Sequence, residues 1–162
     1  MYFLDQVAKF LVVENLTERQ PVEVLGQFVQ FYFVKNAGAA FSLGSGSTWI
    51  FAIIASAVAV FIVVFAPRIR SLAWAALFGL LLGGNLGNLT DRLLREPGFG
   101  VGHVVDFIQI QYFPAIFNVA DMAIVASMVV FIVLTVRGIG LTGSKTVVAA
   151  KTTADATTTD IS

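Results

Sequence analysis

Cysteine is absent from this 162-residue chain, and histidine occurs once, at His103. The first absence removes disulfides, thiolate metal sites and a cysteine nucleophile together. The second leaves no His-Glu-x-x-His pair, so a catalytic zinc would have to be held mainly by carboxylates. Charge is also scarce: only 12% of residues are charged, and ten Lys/Arg cancel ten Asp/Glu. With no basic field and no zinc-finger or RNA-binding signature, nucleic acid is not expected as a partner. No Gly-x-Ser-x-Gly elbow is present, and Ser42, Ser45 and Ser47 have no histidine nearby in sequence. A serine hydrolase is therefore disfavoured.

What the chain has instead is apolar length. Hydrophobic residues make up 57% of it and the mean hydropathy is +0.86, far from a soluble domain and suited to a bilayer. A spanning helix needs about 20 apolar residues to cross about 30 Å of hydrocarbon. Three runs qualify, over about 47–66, 71–94 and 117–137. The first is followed by Pro67, Arg68 and Arg70, and the last stops at Arg137. Together with Lys145 and Lys151 these outnumber Arg92 and Arg95 at the other ends, so the positive-inside rule places 68–70 and the C-terminus in the cytoplasm.

The first residues, 1–16, read as a further helix, but the apolar stretch Met1 to Val13 would span only about 20 Å. Two cytoplasmic termini require an even number of crossings. The expectation is thus a four-transmembrane-helix bundle, mainly α, whose first helix is truncated, and the residues alone leave open whether the true start lies upstream of Met1. A signal peptide is disfavoured because no basic region opens the segment, Asp5 interrupts it and no small-x-small site follows. Across about 22–45, Val, Phe and Tyr alternate with polar residues, as in Gln27 to Val34, and Asn36-Ala37-Gly38 signals a turn. This predicts a small extracytoplasmic β-sheet at the membrane surface. Residues 138–162, rich in Gly, Thr, Ala and Ser, read as a disordered cytoplasmic tail after an integral-membrane unit of 1–137.

Two carboxyls sit where they are costly. Asp121 lies just inside the last apolar run, where an aspartate costs roughly 2.5–3.5 kcal/mol at mid-bilayer. Asn118, three residues earlier, is expected on the same helical face. Asp106 is flanked by Val105 and Phe107 in an extended stretch, the only charge between Glu96 and Asp121 apart from the titratable His103. Two carboxyls sharing a low-dielectric site repel, so that one holds a proton while the other is ionised, an acid and a base able to activate water. Position alone leaves open whether they meet; separate interfacial carboxylates, one capping the last helix, are the competing reading. Gly83-Gly84-Asn85-Leu86-Gly87 looks like a phosphate loop but lies in an apolar span without lysine, and close helix packing is the better reading.

Five motifs then occur in order: Leu4-Asp5-Gln6-Val7-Ala8-Lys9, Asn36 to Ser42, Gly83 to Arg92, Val104-Val105-Asp106-Phe107, and Phe117-Asn118-Val119-Ala120-Asp121. Together they resemble the bacterial lipoprotein signal peptidase family. The resemblance implies a four-helix aspartic endopeptidase of the bacterial inner membrane, without cofactor or metal and expected to be monomeric. It would cut lipid-modified prolipoproteins just before a diacylglyceryl-cysteine, near the extracytoplasmic face. It implies that Asp106 and Asp121 are catalytic, and that Asp5, Lys9, Asn36, Asn88, Asp91, Arg92 and Asn118 bind substrate or support the pair. Asp91 and Arg92 are expected to form an ion pair fixing the third helix, and Asn36 and Asn118 to orient a carboxyl or the substrate backbone. Asn85 stands where the family has small residues, and the tail has no family counterpart. The rivals are a proton- or ion-coupled transporter using the aspartates as a relay, and a non-enzymatic structural protein of the membrane.

Overall fold

The computed structural model describes residues 1–38 and 48–143. Four helices, α1 (Tyr2–Asn15), α2 (Thr48–Phe65), α3 (Leu72–Leu94) and α4 (Val119–Val136), carry a four-stranded sheet. Its strands are β1 (Pro21–Leu25), β2 (Val29–Asn36), β3 (Val104–Ile110) and β4 (Ile116–Phe117), in the order β1-β2-β3-β4, antiparallel throughout. α2, α3 and α4 are long and apolar enough to cross a membrane. α1, at 14 residues, runs alongside the second half of α3, with Met1 against Gly83 and Lys9 against Asp91.

The helices are built for lipid rather than water. In α1 the buried positions are Asp5, Lys9 and Val12, one stripe at i, i+4 and i+7, while Phe3, Leu4, Val7, Phe10 and Leu11 point outward. A helix dissolved in water would present the reverse. α2 likewise buries only Thr48, Ala52 and Ile62. Small residues let the other helices approach: a Cβ added at Gly84 would lie 2.5 Å from the Ala120 carbonyl oxygen of α4. One added at Gly87 would lie 2.5 Å from a carboxyl oxygen of Asp5. The glycine run is therefore a packing surface, as expected of membrane helices.

The sheet arises where the alternating pattern predicts, and it is larger than the pattern suggested. β1 and β2 fall within the expected 22–45 region, whose residues 39–45 lie outside those described. β3 and β4 join it from a segment more than 60 residues away; Val34 pairs with Asp106 and Asn36 with Val104. One face packs on α1 through Val12, Phe33, Val105 and Phe107. Two expectations are corrected. The last helix does not begin at Phe117, which pairs with Ile108 in the sheet. Nor does the chain lose structure at 138: Trp74 donates to the Ile139 carbonyl (2.9 Å), and the backbone N–H groups of Arg70 and Ser71 both donate to Leu141. Apolar Ile139 and Leu141 are covered by the Trp74, Leu77 and Leu134 cluster, which orders 138–143. The remainder of the tail, 144–162, lies outside the described residues.

Candidate active site

Where α3 ends, α4 begins and β3 passes between them, five elements place polar side chains in an apolar surround. Asp106 is 3% exposed on β3. Asn118 is the N-cap of α4 and forms a capping box with Asp121: the Asp121 N–H donates to Asn118 Oδ1 (3.0 Å), and the Asn118 N–H donates to Asp121 Oδ2 (3.1 Å). The two residues are thus joined by cap chemistry, not by the shared helical face that their spacing suggested.

Three asparagine amides hold the two carboxyls. Asn36 Nδ2 donates to Asp106 Oδ2 (2.8 Å) and Asn118 Nδ2 to Asp106 Oδ1 (2.6 Å). Asn88 Nδ2 donates to Asp121 Oδ1 (2.8 Å), and Asn88 Oδ1 accepts from Asn118 Nδ2 (3.1 Å). All four carboxyl oxygens therefore receive a donor. Burial on an apolar strand pushes the Asp106 carboxyl up to about 7, opposed by the Asn36 amide, reinforced by the charge of Asp121, and opposed again by the Asn118 amide and Lys9.

Behind these amides lies a buried ionic cluster. Lys9, wholly inaccessible, contacts Asp5 (2.9 Å), Asp91 (2.8 Å) and Asn88 Oδ1 (2.9 Å). Asp5 also accepts from the Ala120 N–H of α4 (2.9 Å), and Asp91 from the Val105 N–H of β3 (3.2 Å). Helix α1 is thereby tied to α4, and α3 to the sheet. The expected Asp91–Arg92 ion pair is not formed. Asp91 pairs instead with Lys9 and, one turn on, with Arg95 (2.7 Å). Neighbours in a helix point about 100° apart, so Arg92 faces elsewhere. It donates to the Gly38 carbonyl (2.6 Å) and lies over the Phe51 ring at 5.1 Å. Its Nη1 is buried with no partner among the described residues.

Asp106 and Asp121 open on one cavity of about 820 Å³, which Asn36, Asn88 and Arg92 also line. Its remaining wall is largely apolar, including Phe51, Phe113, Ile124 and Val125. His103 is not among the lining residues, and no group of three carboxylates or imidazoles among the described residues could hold a metal ion. Two contributors escaped sequence reasoning. Phe51 sits in a uniformly apolar run that carries no signal of its role. Gln6, which donates to the Gly87 carbonyl (3.1 Å), belonged to a quoted motif but was given no function.

Fold and site define a class, a multi-pass membrane protein that gathers two amide-held carboxyls on an apolar cavity at one end of its helices. The profile of signal peptidase (SPase) II matches residues 1–137. The chain is 66% identical over 145 residues to a lipoprotein signal peptidase of Leifsonia xyli subsp. xyli, covering 90% of this chain and 67% of that one. Against the Streptomyces coelicolor protein of the same name it is 48% identical, covering 88% and 70%. A bacterial membrane enzyme solved by the in meso method at 1.9 Å superposes with a TM-score of 0.72 at 30% identity, covering 84% of this chain and 87% of that one. A second, at 2.3 Å, gives 0.75 at 29% identity, covering 83% and 82%. The chain belongs to the signal peptidase II family. It is a peptidase of the cell membrane.

Proposed function

We propose that this protein removes the signal peptide from lipid-modified prolipoproteins, cutting just before a diacylglyceryl-cysteine with water activated between Asp106 and Asp121. The observation that carries the reading is the convergence of both carboxyls, each held by amide donors, on one largely apolar cavity. One carboxylate takes a proton from water as it attacks the scissile carbonyl; the other carboxyl protonates the carbonyl oxygen, and the proton is passed to the leaving amine as the C–N bond breaks. Charge balance supports one proton on the pair. Among the described residues, Asp5, Asp91, Asp106 and Asp121 face three cations, Lys9, Arg92 and Arg95. With a pKa of about 7, Asp106 suits the acid.

The rest of the cavity suits the substrate's lipid. Met122 and Val125 line it and are each more than half exposed, an apolar wall suited to acyl chains entering from the bilayer. Arg92 Nη1, buried and without a partner among the described residues, has a donor to offer a substrate carbonyl. Arg68, Arg70 and Arg137 lie at the opposite end of the bundle, which supports an extracytoplasmic site and a cytoplasmic C-terminus. We take residues 1–137 as the peptidase unit, acting as a monomer.

The test is to incubate the purified protein in detergent with a diacylglyceryl-modified prolipoprotein and follow the gel shift. Wild type should cleave, and Asp106→Asn and Asp121→Asn should each lose about 10²–10⁴-fold while keeping their melting curves. Cleavage at the wild-type rate by either variant would sink the pair. Unlipidated precursor should be cut far more slowly, since nothing then anchors the scissile bond at the depth of Asp121.

A further inference from the structure

The direction in which each asparagine amide points decides whether a catalytic carboxyl meets N–H groups or a carbonyl oxygen. A primary amide can be turned end for end unless something that only donates, or only accepts, holds one end. Asn118 Oδ1 is held by the backbone N–H of Asp121, and Asn36 Oδ1 by the backbone N–H of Gly38 (3.0 Å). Those anchors are main-chain donors in the capping box and at the end of β2, and no side-chain substitution removes them. Asn88 differs. Its Oδ1 is held by side chains, the Lys9 ammonium from α1 and the Asn118 NH₂ that the capping box aims at it, while its Nδ2 donates to Asp121 Oδ1. Lysine has three donors and no acceptor.

We propose that Lys9 is a positioning residue that acts through Asn88, holding the oxygen of that amide toward α1 and its NH₂ toward Asp121. Lys9 contacts neither Asp106 nor Asp121, and it does not line the cavity. Its hydrogen-bonding effect on the reaction passes through one rotatable amide, and its charge acts on Asp106 through space. The Asp5 and Asp91 carboxylates make this possible, because they stabilise an ammonium where nothing reaches it from solvent. The inference deepens the proposed function and rests on it, since an oriented donor for Asp121 matters only if Asp121 takes part in the chemistry.

Substitutions at Lys9 and Asn88 test it, with the lipidated prolipoprotein as substrate. Lys9→Met removes the donor, and Lys9→Arg keeps a donor-only group. Lys9→Met should lower kcat by about tenfold or more with KM unchanged, because the cavity wall is untouched, and Lys9→Arg should recover most of it. The charged groups facing Asp106 are Asp121 from α4, Arg92 from α3 and Lys9 from α1. Lys9 opposes the upward push on Asp106, so Lys9→Met should move the high-pH limb of the rate profile to higher pH. Should the single variant fail to fold, Lys9→Met with Asp5→Asn removes one charge of each sign, keeps the Asp91–Arg95 pair and still lacks the donor. It is then read in the same way.

In an Asn88→Leu background, Lys9→Met should cost little more, the mark of two residues acting as one unit. Wild-type kcat in a folded protein lacking the Lys9 donor would overturn the inference, as would full additivity with Asn88→Leu. Equal losses in Lys9→Met and Lys9→Arg would do the same. Failure of wild type to cleave would instead remove the proposed function itself.

Discussion

The two ends of the helix bundle are held together by different physics. At the site end, Asp5, Lys9, Asp91, Asp106 and Asn118 are all at most 3% exposed, and directed polar bonds join α1, α3, α4 and β3 beside the apolar contact of α1 with the sheet. At the other end, Trp74, Leu77 and Leu134 pack with Phe78, Val130, Ile139 and Leu141, and the polar ties are a few hydrogen bonds to the chain after α4. Lipid tails are as apolar as leucine, so packing between membrane helices gains little from a hydrophobic driving force. A buried ionic cluster is specific in another way. Breaking one partner leaves a charge with nowhere to go, so the arrangement tolerates few alternatives. The site end is thus where geometry is enforced, and the far end is where the bundle closes with ordinary van der Waals contact.

The contrast can be broken or sharpened, starting with the largest expected effect. Asp91→Ala leaves Arg95 without its carboxylate partner, Lys9 with Asp5 as its remaining carboxylate and the Val105 N–H unpaired, so it should cost about 3–5 kcal/mol, read as a lower melting temperature in detergent. A loss under 1 kcal/mol would mean that the cluster does not hold the site end. Next is pH. With Asp106 at about 7, the rate should stay level just below that value and fall about tenfold per unit above it as the acid loses its proton. The linkage has the matching sign: a carboxyl raised by folding adds stability that is fully present below the ordinary carboxylate range and lost as pH rises through about 7. A rate still climbing at pH 9 would contradict both.

Gly84→Ala sits at the boundary between the two ends. Its methyl group would meet the Ala120 carbonyl oxygen and the Ile124 side chain, so about 1–3 kcal/mol should be lost. Activity should fall too if α4 is pushed away with Asp121, and unchanged stability would show that α3 and α4 separate freely. Smallest is Trp74→Phe at the far end. It removes the bond to the Ile139 carbonyl while keeping an aromatic ring, for about 0.5–1.5 kcal/mol, with cleavage untouched. A loss of cleavage there would show that the far end reaches the site.

Much of this was legible in the residues. Long apolar runs marked the three spanning helices, and alternation over Gln27 to Val34 marked a strand that forms as Val29–Asn36. Asp5 and Lys9, four positions apart and so on one helical face, meet at 2.9 Å. Other readings failed for reasons that local spacing cannot hold. Adjacent opposite charges suggested an Asp91–Arg92 pair, but one helical step turns the two side chains apart and each found a partner elsewhere. The composition of the C-terminal segment suggested no structure from 138, yet Ile139 and Leu141 find an apolar surface supplied by α3 and α4.

By itself the sequence determined which stretches leave water and which carboxyls would be costly there, because transfer free energy is a property of local composition. What only the tertiary structure decided is who satisfies those carboxyls. Lys9 meets Asp91 across 82 positions, Asn36 meets Asp106 across 70, and Asn88 meets Asp121 across 33. Hydrogen bonds and ion pairs act over about 3 Å, so their partners exist only once α1, α3, α4 and β3 have packed.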